Sequence, residues 1–371
     1  MKKPLLISVL LLYFVVNAQE HSHKSSRALS FPDIPGYKTL KTDLHIHSVF
    51  SDGSVWPDIR VQEALRDNLD VISITEHLEY QPHSKDIPHP DRNRAYELAV
   101  EEAKNHNLLI INGSEITRSN PTGHNNAVFI KDANTLMDKD SVLQFAAAKK
   151  QGAFIFWNHP NASWLSPTGD PIWTNFQEER VKRKELHGIE VINSGLYDKE
   201  SFALALKNNL TVMGTSDVHG LIDWDYIEKG DTRPITLIFA KEKTPESIKE
   251  ALFAGRTVAV FNELFVGRPE YVKPLLQACL AIKKASYLKD TQILAVEVTN
   301  ISSNKLLFEN QMEYTLYGNS PVFEIASGET KTLEIKTLKV VETITLKLKA
   351  IGAYVTPKKH PIISWEVAVK N

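Results

Sequence analysis

The spacing of apolar and polar positions changes character once along the chain. From about residue 37 to 267, short strand-like apolar runs (TLKTDLHIH, DVISIT, LLIING, NAVFI, AFIFWN, GIEVINS, TVMGTSD) alternate with amphipathic stretches. Helices are predicted over 57–68, 91–107, 141–151 and 199–208. That alternation predicts parallel strands with helical crossovers. Seven such strands can be counted, and the connections after Ile74 and Ile130 are irregular, so the expectation is a distorted barrel rather than an open sheet. From about residue 277 the period becomes two. QILAVEVTN, LLFENQ, YTLYG, KTLEIKTL and ITLKLKAIG alternate between apolar and polar with turn residues between them. This predicts an antiparallel β-sandwich.

Length and composition agree with that division. The 371 residues, 42% hydrophobic and 24% charged, can bury a large domain and a smaller one. A net charge of −2 without a basic block gives no electrostatic ground for a stable nucleic-acid partner. The start, MKKPLLISVLLLYFVVNAQE, has two lysines, an apolar run too short to span a bilayer, and Ala18 in a small-residue context. It is expected to be a signal peptide over 1–18, followed by an arm over 19–36. The expected location is therefore the periplasm or the exterior, with no membrane anchor after cleavage. Cys279 is the single cysteine, so no intramolecular disulfide can form, and its apolar surroundings predict a buried packing role.

The chemistry begins with DLHIHSVFSDGS. Side chains two apart on a strand share a face, so His45 and His47 point together. Alone, such a pair is ordinary strand decoration. The later strands change that: DVISITEH ends in Glu76 and His77, LLIINGSEIT carries Glu115, and His124 precedes NAVFI. AFIFWNHP ends in His159, and TVMGTSDVH in Asp217 and His219. Ligand-type residues thus gather at strand C-terminal ends, where barrel enzymes place their sites. Imidazoles with carboxylates and no thiolates suit Zn²⁺, Mn²⁺ or Fe²⁺. Their number exceeds the needs of one ion, and Glu115 is the candidate shared ligand.

These motifs (HIH, ITEH, SEIT, NHP and SDVH) resemble the PHP (polymerase and histidinol phosphatase) superfamily over residues 37–267. With the leader and β-rich tail, the chain also resembles the secreted bacterial Sb-PDE phosphodiesterases. The resemblance implies a distorted (β/α)7 barrel over 37–276, with the antiparallel β-sandwich over 277–371. It implies two or three divalent ions, Mn²⁺ first, with Zn²⁺ or Fe²⁺ as alternatives. Carried over residue by residue, His45, His47, Glu115 and Asp217 would hold one ion. Glu115, His124 and His159 would hold a second, and Asp52, His77 and His219 a third. Of the neighbours Glu76 and His77, only one should enter the site, and His77 is chosen. Asp43, two before His45, would support a ligand from below.

The implied activity is hydrolysis of phosphate esters, most simply diesters, by a hydroxide shared between metals. Glu115, Asp217 and His219 are the catalytic candidates, and Arg118, three residues after Glu115, is the candidate contact to the substrate phosphate. The partner is a small-molecule phosphate ester. Glu190 and Asn193 end another strand and would contact substrate or brace the ligands. The long segment EYQPHSKDIPHPDRNR and Trp157, Trp164 and Trp173 are candidates for pocket walls. The alternatives are a phosphomonoesterase acting on sugar phosphates or nucleotides, and a metal-binding interaction module without catalysis. Amide or lactone hydrolysis ranks last, because no bridging lysine is evident on a barrel strand.

Overall fold

The structure is a computed structural model that describes residues 27–318 and 320–370. The expected leader over 1–18 lies outside the described residues. Among them, no helix is long and apolar enough to cross a membrane.

The N-terminal half runs through β1 (Lys38–Ile46), α1 (Pro57–Arg66), β2 (Val71–Ile74), α2 (Arg94–Ala103), β3 (Leu109–Ile110), β4 (Gly113–Thr117) and β5 (His124–Val128). It continues with α3 (Ser141–Lys150), β6 (Phe154–Trp157), α4 (Asn175–Lys182), β7 (Gly188–Asn193), β8 (Leu196–Tyr197), α5 (Lys199–Lys207) and β9 (Thr211–Thr215). Several helices start where the chemistry of the N-cap dictates. Asp140 and Asp198 accept the first free amides of α3 and α5, and Thr174 with Gln177 forms a capping box on α4.

These strands lie in two sheets. In one, β1, β2 and β3 are parallel neighbours; in the other, β4 to β7 follow in order and β9 pairs with β7 in parallel. The sheets meet at two short parallel bridges, Ile46 with Val218 and His77 with Glu115. A ring of seven results (β1, β2, β4, β5, β6, β7, β9), closed only near its C-terminal rim. The expected all-parallel order holds only in part. β5 runs antiparallel to both β4 and β6, because residues 118–123 return the chain from β4 directly, without a crossover helix.

Three strands and two helices lie beyond those read from the sequence: β10 (Ile235–Ala240), α7 (Pro245–Phe253), β11 (Thr257–Phe261), β12 (Leu264–Gly267) and α8 (Pro269–Cys279), preceded by the short α6 (Ile222–Asp225). β10 adds to β1 in antiparallel fashion, and β11 and β12 extend that sheet outward. β9 packs so closely beneath them that a Cβ on Gly214 would lie 2.8 Å from the Ala259 Cβ and the Ile235 carbonyl. That position therefore requires glycine.

Nine strands follow: β13 (Leu280–Tyr287), β14 (Ile293–Asn300), β15 (Leu306–Asn310), β16 (Thr315–Leu316), β17 (Val322–Ile325), β18 (Thr330–Lys336), β19 (Thr343–Ala350), β20 (Ala353–Tyr354) and β21 (Ile362–Ala368). β13-β14-β18-β16 and β17-β15-β19-β21 form the two antiparallel sheets of the sandwich. The first begins three residues beyond position 277, directly after α8. Cys279 ends that helix; it is buried, and burial pushes its thiol up to about 12. β20 leaves the sandwich to pair with β12, and one apolar cluster runs from Ile46 and Val61 through Phe265 to Leu346. The sandwich is thus packed onto the barrel through continuous core.

Candidate metal centre

Both seams of the ring end in ligand-type side chains. At the first, the Asp217 amide donates to the His45 carbonyl (2.9 Å) and the His47 amide to the Val218 carbonyl (3.1 Å). At the second, the Glu115 amide donates to the Glu76 carbonyl (2.9 Å). Backbone pairing therefore brings residues distant in sequence to one rim. His159 and Asp217 sit there with φ of 27° and 52°, in the left-handed region that non-glycine residues seldom adopt.

The nine side chains His45, His47, Asp52, His77, Glu115, His124, His159, Asp217 and His219 form four overlapping groups, within each of which the ligand atoms lie within 4.8 Å of one another. The tightest is His45, His47 and Asp217. The two Nε2 atoms are 3.0 Å apart, and Asp217 Oδ1 is 3.1 Å from each. Glu115 lies further off, 3.5 Å from His45 and 3.9 Å from His47. It stands closer to His124 (3.1 Å), with His159 at 3.6 Å. Asp52 swings back from its turn to within 3.1 Å of His219 and 3.3 Å of His77. The groups also overlap more than a three-way partition implies: His47 stands with Asp52, His77 and His219, and His77 also faces Glu115 through Nδ1.

The electrostatics describe a pocket built for positive charge. Burial opposes every ionised form here. His45 is nonetheless pushed up to about 10, because Asp217 and then Glu190 outweigh its desolvation. Desolvation of His77 is likewise overcome by Glu115 and then Asp52, which raise it to about 11. Burial prevails at His47, whose His77 and His219 neighbours help depress it to about 3. Asp217 is held well below the carboxylate range against burial, chiefly by His45. Asp52 is held low, also against burial, by the neighbouring imidazoles of His219 and His77. Asp52 Oδ1 and His159 Nδ1 are buried without a hydrogen-bond partner. Nitrogen and oxygen atoms aimed at common points, some of them unpaired, fit a set of divalent cations better than a hydrogen-bonded core.

A surrounding shell fixes these groups. His45 Nδ1–H donates to Glu190 Oε1 (2.7 Å), which leaves Nε2 facing the pocket. Glu190 also accepts from Thr215 Oγ1 (2.6 Å), the His159 amide (2.7 Å) and Asn193 Nδ2 (2.9 Å). Such a carboxylate behind a ligating imidazole sets its tautomer and raises its basicity. Asn158 Nδ2 donates to Glu115 (2.8 Å). Glu76 faces away from the pocket, bound by the hydroxyls of Ser48 and Ser51 and the Ser48 amide (3.2 Å), and so shapes the turn carrying Asp52. Asp43 lies below, accepting from the Ser216 amide (3.2 Å) and from buried Arg233 (2.8 Å).

One residue that sequence reasoning missed is Arg60 of α1. Fully buried, it donates to the carbonyls of His47 (2.9 Å), His219 (2.9 Å) and Gly220 (2.7 Å) and pairs with Glu63 (2.8 Å). It ties the strand end bearing His47 to the loop bearing His219. An arginine on an amphipathic helix carries no sequence mark of this, since its partners are backbone carbonyls that exist only in the fold.

Arg118 stands apart from the ligand cluster. Its guanidinium pairs with Glu79 (3.0 Å), donates to Gln144 (3.0 Å) and reaches the Asp138 carbonyl. It is absent from the pocket wall, because the chain turns away once β4 ends at Thr117. The wall instead comprises Asp52, His77, Tyr80, Thr117, His124, His159, Trp164, Asp217 and His219, around a cavity of about 420 Å³. Of the three tryptophans considered, Trp164 lines it; Trp157 is buried in the core, 6.2 Å from Trp173. His89 is a structural pin, with Nε2 against the Phe50 carbonyl (2.8 Å).

Comparison with solved structures returned a two-domain protein of Bacteroides vulgatus described as containing a predicted PHP-like metal-dependent phosphoesterase. It is 38% identical, with a TM-score of 0.84, over 92% of this chain and 98% of that one. This chain belongs to the PHP-like metal-dependent phosphoesterase family. The agreement extends through both halves of the molecule, so the family member shares the barrel-plus-sandwich arrangement. The family model DUF5001, an Ig-like domain, matches residues 280–366 of the chain, which are the sandwich. More distant likenesses include PsfC of Pseudomonas syringae (16% identity, TM-score 0.41, 65% of this chain and 96% of that one). Another is a lesion-specific endonuclease of Pyrococcus furiosus (16% identity, TM-score 0.39, 62% of this chain and 59% of that one). Comparison with curated proteins returned no match.

Proposed function

We propose that this PHP family member is a metal-dependent phosphodiesterase whose ions are held by the nine rim residues. The observation that carries this reading is the pocket wall itself. It presents six ligand-type side chains with Tyr80, Thr117 and Trp164, and no lysine or arginine lines it among the described residues. A dianionic monoester terminus would call for fixed cations beside the ions, and Arg118, which the sequence offered for that purpose, is spent on Glu79. A monoanionic diester needs less. The description of the Bacteroides vulgatus relative as a metal-dependent phosphoesterase supports the broader class.

His45, His47 and Asp217 would hold one ion, Glu115 with His124 and His159 a second, and Asp52 with His77 and His219 a third. Such ions supply a nucleophilic water at neutral pH and neutralise phosphoryl oxygens. The chain's own contribution is placement. Glu190 keeps the His45 Nε2 lone pair on the pocket, Asn158 orients Glu115, and Arg60 locks together the two segments that carry His47 and His219. Glu115 stands between the His45 and His124 sides of the pocket, where it can be shared. Mn²⁺ is the proposed metal, given the hard oxygen and imidazole donors, with Zn²⁺ or Fe²⁺ as alternatives. The order of charge and apolarity over 1–18 supports export to the periplasm or beyond.

The test is hydrolysis of bis(p-nitrophenyl) phosphate beside p-nitrophenyl phosphate by chelator-stripped protein with Mn²⁺ restored. The diester is expected to be turned over at least about tenfold faster in kcat/KM, with activity absent before metal addition. Faster turnover of the monoester would replace this reading with a phosphomonoesterase, and metal uptake without turnover of either would replace it with a binding module.

A further inference from the structure

Two aromatic side chains in the pocket wall have no part in holding ions. Trp164 is 70% exposed, with its ring centroid 5.5 Å from that of His159; Tyr80 is 52% exposed, 5.9 Å from His77. His77, His124 and His159 follow one another between them, with centroids 5.5 and 5.0 Å apart. The two rings therefore stand at either end of this row of imidazoles, on the wall of one cavity. Neither sits on a loose loop. The turn bearing Trp164 is closed by the Ala162 amide on the His159 carbonyl (2.9 Å) and the Leu165 amide on the Ala162 carbonyl (2.9 Å). The segment bearing Tyr80 is tied down by the Gln81 side chain, which donates to the His77 carbonyl and meets the His89 ring. Apolar rings held in place beside a reactive centre lower the entropic cost of ordering a ligand against them.

The rest of the wall narrows the ligand. Its polar groups are ion ligands except for Tyr80, Trp164 and Thr117, and the Thr117 hydroxyl is engaged by His77 (2.6 Å). A sugar would need free donors and acceptors for its hydroxyls, and an alkyl chain would need a continuous apolar groove. What the wall offers is two exposed aromatic rings, which suit a flat aromatic ring.

We propose that Tyr80 and Trp164 form an aromatic subsite that selects phosphodiesters whose retained arm carries a planar ring, as a nucleobase does. This rests on the phosphodiesterase reading and adds the substrate class to it. The test compares thymidine 5′-(p-nitrophenyl phosphate) with ethyl p-nitrophenyl phosphate on the Mn²⁺-loaded enzyme. The leaving group is the same in both, so the ratio of their kcat/KM values reports the retained arm alone. The wild type is expected to favour the nucleoside ester by about tenfold or more, mostly through KM, in the range of stacking on one ring. Trp164→Ala should lower that ratio about tenfold, Trp164→Phe should recover most of it, and Tyr80→Ala should lower it less. A wild-type ratio near one, or a ratio unmoved in both alanine variants, would overturn the subsite while hydrolysis of the ethyl ester left the diesterase reading standing. Failure to hydrolyse either ester would remove both.

Discussion

Along β14 and β19 of the sandwich, buried and solvent-facing positions alternate residue by residue. Among the described residues from 280 onward, the buried polar side chains are Asn300, Ser302, Asn304 and Thr337, none of them ionisable. The barrel is built differently. It buries Asp43, His45, His47, Arg60, Glu63, Asp67, Glu76, His77, Glu115, His159, Glu190 and Arg233, most of them at or just beneath the rim. Removing a charge from water costs several kcal/mol unless a partner compensates. A sheet that needs only to fold avoids that cost, as the sandwich does. The barrel accepts it where carboxylates and imidazoles must face each other, and the Glu190, Arg60 and Arg233 contacts show how the cost is met.

The comparison breaks first if the mouth can lose a ligand without consequence. His45→Ala or Asp217→Asn is expected to reduce turnover by roughly three orders of magnitude, well beyond the ten- to hundredfold typical of an outer-shell partner. Bound metal, measured by elemental analysis, should fall with it, while circular dichroism stays that of the wild type. Full activity with full metal in either variant would mean that the rim is not the reactive centre.

A sharper version uses the sandwich. Leu346 is fully buried on β19, within the core shared with the barrel. Leu346→Ala should cost about 2–5 kcal/mol from lost burial and the cavity left behind, seen as one shifted denaturation transition because the core is continuous. The pocket wall contains no residue from the sandwich, so kcat should hold at temperatures well below the new midpoint. A large loss of kcat in a fully folded variant would mean that the sandwich shapes the mouth directly.

The same contrast explains what could be read from sequence. Period-two alternation marks the sandwich plainly, since each inward position is apolar and each outward one polar. HIH was legible because two-residue spacing fixes a shared face, SDVH because two ligand-type residues follow a strand end (Asp217 itself leaves the strand, with φ of 52°), and Asp52 because a glycine-bearing turn lets it fold back. Arg118 is close to Glu115 along the chain, but its partners Glu79 and Gln144 come from elsewhere in the sequence and no local pattern announces them. The strands β10 to β12 escaped notice because the parallel pattern had ended, and nothing local announces an antiparallel extension. Glu190 was visible as a carboxylate at a strand end, but its bond to His45 spans 145 residues and needs the ring to close.

The smallest effect expected lies outside the rim, at a half-buried histidine that is paired rather than clustered. His187 Nδ1 accepts from the Ile155 amide (3.0 Å) and its Nε2–H donates to the Lys184 carbonyl (3.1 Å), with Phe253 edge-on at 4.7 Å. Burial is the main cause that depresses it to about 4; because Nδ1 accepts from the Ile155 amide, a proton placed there would displace that bond. In the unfolded chain the group titrates near its ordinary value of 6.5. Between those values the unfolded state binds a proton that the folded state refuses, so stability rises with pH across that window. The contribution is complete above 6.5, declines as the pH falls towards about 4, and levels off below. Replacing the imidazole by an uncharged amide, His187→Gln, removes this dependence. Denaturation midpoints of the two proteins in chelator at pH 7.5 and pH 5 should therefore converge on acidification, with the wild type losing more. Parallel losses in both would show that the proton is accommodated at His187 without disturbing the fold.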